Sequence, residues 1–431
     1  MGHIVFAAPS ISSFFLHYRL RKDLLRRGHR VSILCTDRAR FTFWREQVSD
    51  VDLILPTSKD QFTDHDLGKL ATPALRWLER EQPDLVFFHQ ERTPTSADIQ
   101  FAARTVGSRT LWTGPGLLAH TMQIDERGID ADARMRRWHA KDYRVIEPAP
   151  DLLQASLAHA LSGCAPLALP TPKLRAPMLR RRIADAINYA IRGQLHAAVT
   201  SLNAWLAPHQ VEATETIQTP SIDMKTGSIC LLLQDPDDPR VVHDATNPPD
   251  ARSLIAQAIA AADRIAPDCE VVAVLPDRIS TTQLTSQHLA GEQAHRVRLA
   301  PMASGPVVAA TASATITINH PTATVALLAG TPVIHLGRAL YELPGVTSAT
   351  TLEALPEAVR SAQETDRPAL RRRFLTFLLQ HCHVWCSPAA PNHNGMLGLV
   401  QAVERCLLGD AKSNSRPLPY RPGPMWPLTT H

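Results

Sequence analysis

The chain has 431 residues, 44% of them apolar, and a formal net charge of +4. That length and apolar share can bury a large core split over two domains, and so mild a charge does not imply nucleic acid. No run reaches the roughly 18 apolar residues that span a bilayer, the N-terminus lacks the pattern of a secretory leader, and the seven scattered cysteines suit a reducing cytoplasm better than a disulfide framework.

In chain order, His3 to Ala8 reads as a strand. Ser12 or Ser13 is placed to cap a helix running to Arg27 and stopped by Gly28. Val31 to Thr36 is a second strand. A helix from about Leu67 to Glu81 precedes the strand Leu85 to His89, and a helix from Ser96 to Val106 precedes the strand Arg109 to Thr113. This βαβ rhythm predicts a parallel, doubly wound sheet. The segment 151–226 reads as a helical connection with Pro-rich interruptions. The rhythm then resumes with strands Ser228 to Gln234, Glu270 to Leu275 and Val297 to Leu299, and with a helix Ala251 to Ile265. Two helices, Leu352 to Ala362 and Arg367 to His381, follow later. The organisation expected is an N-terminal Rossmann-like acceptor and catalytic domain over 1–150, the connection 151–226, a C-terminal Rossmann-like nucleotide-sugar domain over 227–412, and a Pro-rich tail over 413–431. Two α/β domains with parallel sheets facing a cleft is a GT-B-like arrangement.

The most informative stretch is Ile316 to Thr347. Ile316 to Ile318 is a β-branched, buried-type strand, Asn319-His320-Pro321 a turn, Thr322 to Ala329 a short helix ended by Gly330, and Pro332 to Leu336 the next strand. A strand feeding a helix at a sheet's carboxyl edge is where open α/β proteins take phosphate-bearing ligands. His320, Thr322 and Thr324 are therefore candidate ligand contacts, with Asn319 fixing the turn. Gly337, Arg338 and Tyr341 follow the next strand; Arg338 could reach a phosphate or a sugar carboxylate, and Tyr341 could line a base pocket. The bland alternative is a helix cap with a packed histidine.

Four further groups have a functional and a bland reading. Gln90, Glu91 and Arg92 leave the strand Leu85 to His89 at its carboxyl end, where Glu91 could act as an acid and Arg92 could pair with a carboxylate; otherwise they are a surface pair. Gln234, Asp237 and Asp238 leave the first strand of the second half and could bond sugar hydroxyls, though Asp-Pro-Asp-Asp-Pro also reads as a plain turn. Basic residues at Arg19, Arg21, Lys22, Arg26, Arg27 and Arg30, and again at Arg180 to Arg182, are either solvated helix faces or a docking surface for an anionic membrane. His381, Cys382, His383 and Cys386 crowd into one helical turn without a second pair, so no metal site is assigned.

Several of these stretches, in order from Ile4 to Cys386, resemble one family. Ser12 to Val31 has a small-residue turn, Phe14-Phe15, a basic helix and Gly28-His29-Arg30-Val31. Met122 to Ala133 is similar to the family's apolar-Asp-x-x-Gly-Ile-x-x-Asp-Ala segment through Asp125, Gly128, Ile129, Asp132 and Ala133. Leu231 to Asp244 resembles its Leu-Gln-x-x-x-Asp motif through Leu233, Gln234 and Asp238, and Asn319 to Thr347 resembles its nucleotide-site block. These are motifs of capsule polysaccharide biosynthesis proteins that transfer Kdo from CMP-Kdo to a lipid-linked terminus.

The resemblance implies a CMP-activated acid-sugar donor, a lipid or lipid-linked glycan acceptor, no cofactor or metal, and a place at the inner membrane beside a capsule assembly and export complex. It also implies that Asp125 is the nucleophile of a retaining double displacement; read from spacing alone, Asp125 is a turn aspartate beside Gly128. The sequence departs from the family where a Glu-Glu-Gly-Tyr-type motif is replaced by Trp112 to Leu118, where Lys-x-His-Pro-Asp is reduced to Leu275-Pro276-Asp277, and where Val325 replaces a glutamate. The alternatives left open are a noncatalytic assembly or export partner and a UDP-sugar enzyme or epimerase of another GT-B family.

Overall fold

The computed structural model describes residues 1–8, 11–36, 53–55, 67–89, 94–162, 227–266, 268–276, 296–386 and 393–408. Most of the expected connection (163–226), the whole tail 413–431, Gln90, Glu91, Arg92, Arg180 to Arg182 and Asp277 lie outside these residues.

The first half builds β1 (His3–Ala8), α1 (Ile11–Arg26), β2 (Arg30–Thr36), β3 (Leu53–Leu55), α2 (Leu67–Glu81), β4 (Leu85–His89), α3 (Pro94–Thr105), β5 (Arg109–Pro115) and β6 (Met122–Asp125). Three 3-10 turns (Asp130–Asp132, Arg134–Arg137, Ala140–Val145) and α4 (Pro150–Leu161) follow. The second half builds β7 (Ile229–Leu232), α5 (Pro239–Asp244), α6 (Ala251–Ile265), β8 (Val271–Leu275), β9 (Val297–Pro301), α7 (Gly305–Thr311), β10 (Ala314–Thr317), α8 (Ala323–Ala329), β11 (Val333–His335), β12 (Ser348–Ala349), α9 (Leu355–Thr365) and α10 (Pro368–His381). The last described elements are β13 (His383–Val384) and α11 (His393–Leu408).

Among the described residues the strands form two sheets, in the orders β13-β6-β5-β4-β1-β2-β3 and β12-β11-β10-β7-β8-β9. The second is parallel throughout, and the first is parallel from β3 to β5. The GT-B-like expectation of two Rossmann-like α/β domains is met in these sheets. The reason lies in the strands. Successive side chains point to opposite faces, and helices cover both faces, so each residue must be apolar. Ile4 and Phe6 pack with Leu16, Leu20 and Leu24 of α1, while Val5 and Ala7 pack with Trp77 and Leu78 of α2 and Ile99 of α3. Cys230 and Leu232 pack under α8 and α10, while Ile229 and Leu231 pack against α6 and α9.

Helix α1 starts ahead of Ser12, so the caps read at Ser12 and Ser13 fall inside it. β6 and β13 were not legible as strands. They pair antiparallel with each other at the edge beyond β5, about which β6 is also antiparallel. Through β13 and α11 the chain returns to the first sheet, where Met396, Leu399, Val400 and Val403 share the core of α1.

Candidate active site

The strand order of the second sheet reverses between β7 and β10, and a crevice opens at the carboxyl end of such a pair. Gln234 leaves β7 there and Asn319 leaves β10. Gln234 Nε2 donates to Asn319 Oδ1 (2.9 Å), and Gln234 Oε1 accepts from Asn319 N–H (2.9 Å) and from Thr317 Oγ1 (3.3 Å). Asn319 Nδ2 donates onward to the carbonyls of Arg240 (2.8 Å) and Arg338 (3.2 Å). Both side chains are buried and almost fully used within the protein. They clamp three loops at the crevice and leave its chemistry to their neighbours.

Gly337 belongs to the same clamp. A Cβ there would stand 2.9 Å from Ile318 Cγ2 and 3.3 Å from Asn319 Nδ2, so the two loops can approach only without a side chain. Gly330, as expected, ends α8 in the left-handed region at φ +93°.

His320 is the group whose state matters most. Its Nδ1 accepts the Thr322 N–H (3.1 Å), its own N–H donates to Thr317 Oγ1 (2.9 Å), and its carbonyl accepts from Tyr341 Oη (3.1 Å). Desolvation, with the nearby Arg240 charge second, pushes its pKa down to about 3. The ring is therefore neutral, and with Nδ1 accepting, its proton sits on Nε2 as a hydrogen-bond donor. Burial raises the pKa of the Tyr341 phenol, which stays protonated and anchors the loop instead of lining an open pocket. Thr322 is half-buried; Thr324 is fully buried, with no hydrogen-bond partner on its hydroxyl among the described residues. Asp238 accepts from the Arg240 N–H (2.8 Å) as the N-cap of α5.

Asp125 ends β6 on the first domain. Its Oδ1 accepts from the N–H groups of Arg127 (2.7 Å) and Gly128 (3.3 Å), and its Oδ2 from Arg134 (2.9 Å). The loop fixed in this way carries the residues that meet the second domain. Asp130 faces Arg240 (3.2 Å), Asp132 faces Arg338 (3.4 Å), and Arg136 pairs with Glu342 (2.8 Å). Sequence reading assigned no role to Arg240 or Asp130. The available signal was a basic residue at the exit of the first strand of the second half, two places after Asp238.

The structure thus brings Gln234, Asn319, His320, Thr322, Gly337, Arg338 and Tyr341 together, while Asp125 is held at the end of β6 by the amides of its own loop. His383 is fully engaged elsewhere. Its Nε2 accepts the Leu117 N–H (3.1 Å) and its Nδ1 bonds the Leu378 carbonyl (3.0 Å), so the ring orders the hairpin after β5. Burial holds the thiols of Cys382 and Cys386 protonated, the latter pushed up to about 12. Within the basic cluster from α1 to the start of β2, Arg26 meets Asp23, Arg27 meets Glu404 and Arg30 meets Glu81. Among the described residues no helix is long and apolar enough to cross a membrane.

Comparison with known proteins adds a family. No curated protein matches the chain. Solved structures that superpose on it include a putative UDP-N-acetylglucosamine 2-epimerase from Listeria monocytogenes (12% identity, 97% of this chain and 98% of that one, TM-score 0.36). Others are S. aureus MnaA with UDP (12%, 95% and 97%, TM-score 0.37) and the calicheamicin glycosyltransferase CalG4 (14%, 95% and 99%, TM-score 0.35). At these scores they add nothing to the two-sheet architecture already described. The family model described as "Capsule polysaccharide biosynthesis protein" matches residues 183–384. Over that span, which holds the switch-point crevice, the chain matches the capsule polysaccharide biosynthesis family, the family its motifs resemble.

Proposed function

We propose that the chain is a glycosyltransferase of capsular or related surface polysaccharide synthesis, taking an acid sugar of Kdo type from a CMP-linked donor and passing it to a lipid-linked acceptor. The observation that carries this reading is the crevice between β7 and β10, where a neutral His320 offers Nε2–H beside Thr322 and the guanidinium of Arg240. A donor with a phosphate and a sugar carboxylate matches such a set of N–H and O–H donors.

In this reading the second domain holds the nucleotide, with no metal or cofactor required, and the first domain presents Asp125. Three of the roughly four lone-pair directions of that carboxylate are taken by amides, which leaves one on Oδ2 for attack at the anomeric carbon. Work on a lipid-linked acceptor would place the protein on the inner face of the membrane, near assembly and export partners.

The test is intact-protein mass after incubation with CMP-Kdo. A Kdo-sized gain in wild type that is absent in Asp125→Ala is the expected result. One observation favours a second reading, a noncatalytic assembly partner: the amide bonding of Asp125 also suits a plain loop anchor. No mass gain together with no thermal shift from either CMP or UMP would favour that reading, while a shift from UMP alone would move the protein to UDP-sugar chemistry.

A further inference from the structure

We infer that Asp130 and Arg240 act as one unit across the two domains: Asp130 positions the Arg240 guanidinium so that its terminal N–H groups bind the phosphate of the nucleotide. This rests on the nucleotide-site reading above and goes beyond it, because neither residue falls on a fixed position of the family motifs.

Four observations meet here. The Arg240 main chain is pinned at the switch point, since its carbonyl accepts from Asn319 Nδ2 (2.8 Å). Its side chain is engaged on one edge only. Nε donates to Asp130 Oδ1 (3.2 Å), and among the described residues no other group bonds the guanidinium. A guanidinium held by Nε keeps its two terminal nitrogens as a planar fork, the geometry that grips a phosphate or carboxylate with two parallel bonds.

Asp130 is in turn held in place. Its Oδ1 also accepts from Gln123 Nε2 (2.8 Å), its N–H donates to Gln123 Oε1 (2.9 Å), and Gln123 Nε2 bonds the Pro115 carbonyl (2.8 Å). Its backbone is in the left-handed region at φ +52°, a conformation that costs energy for a non-glycine residue and persists only where surroundings impose it. Finally, the pair is sheltered. The side chains of Arg240 and Asp130 are 18% and 12% exposed, against 53% and 54% for the neighbouring Arg338–Asp132 pair, which water screens. The Arg240 charge is also close enough to lower the pKa of the His320 ring, second to desolvation.

The experiment is titration calorimetry of the full-length protein with CMP and with cytidine, which lacks the phosphate. It compares wild type, Asp130→Asn, Arg240→Lys, Arg240→Ala, and Asp130→Asn combined with Arg240→Ala. Glu342→Gln, which breaks another cross-domain pair, is the control. CMP affinity is expected to fall about tenfold in each single variant at Asp130 and Arg240, with cytidine unchanged. Asp130→Asn is expected to cost nothing more once Arg240 is gone. Arg240→Lys keeps the charge but loses the fork, so the comparison survives if Arg240→Ala does not fold. The inference is overturned if Asp130→Asn leaves CMP binding within about twofold of wild type, or weakens CMP and cytidine alike as a loosened domain seam would. Wild-type protein that does not bind CMP overturns the nucleotide-site reading itself, and this inference with it.

Discussion

At Asp125, burial and backbone bonding pull in opposite directions. Desolvation raises the carboxyl to about 6 from an ordinary 3.8, against the lowering effect of the amides of Arg127, Arg134 and Gly128. A raised carboxyl favours the folded state fully below about 3.8, and that contribution is lost as pH rises through about 6. The proton must leave before the oxygen can attack, so formation of the Kdo adduct should climb through pH about 6, read from its rate by mass at fixed donor. Asp125→Asn keeps one acceptor oxygen but turns an amide N–H toward that of Arg134. It should abolish the adduct and cost about 1–3 kcal/mol of stability in urea titration. If it formed the adduct at the wild-type rate, the nucleophile role would be lost. The sequence gives the turn here, through Asp125 and Gly128 three residues on. It is silent on Arg240 and Asp130, because 110 residues separate partners that meet only in the fold.

For the elements, the Gln234–Asn319 clamp explains why β7, β10 and β11 end where they do. Buried polar groups must be paired, and here each loop supplies the partner for another. Removing one side leaves the others without partners in a dry site. Asn319→Ala should therefore cost about 2–4 kcal/mol and lower CMP affinity through the displaced His320 loop, while Gln234→Glu, which replaces one donor by an acceptor facing Asn319 Oδ1, should behave similarly. Chemical denaturation and calorimetry check both; an Asn319→Ala protein of wild-type stability would refute the clamp. The strands that could be read from sequence were the apolar runs, such as Val271 to Leu275, where burial on both faces leaves no other composition. The strands β6 and β13 could not, because four and two residues carry too little pattern, and their partnership is long-range.

Across the whole molecule, the titrations that matter are of buried histidines. Burial lowers His320 to about 3, and His381 and His383 to about 4, the first helped by Arg240 and the second by Arg405. A histidine lowered in the folded state contributes stability that is complete above its ordinary value of 6.5 and is lost as pH falls toward the folded value. The two raised carboxyls, Asp98 and Asp125, both at about 6, work the other way between about 3.8 and 6. Burial also lowers His159 and His335, so among the described residues five histidines stand against the two carboxyls; the urea midpoint should fall steadily from pH about 6.5 to about 4, and His383→Gln should flatten part of that fall. A midpoint that is level over that range would mean these rings are not buried in solution.

The return of β13 and α11 to the first sheet has a consequence for synthesis. The apolar face of α1, Leu16, Leu20 and Leu24, is completed by Met396, Leu399, Val400 and Val403. At roughly 5–20 residues per second, a ribosome needs about 20–70 s to make the chain between them. During that time the N-terminal sheet waits on the ribosome with one greasy side bare. The half made first is then completed only when the end of the chain arrives, and it is the part on which a chaperone would be expected to sit.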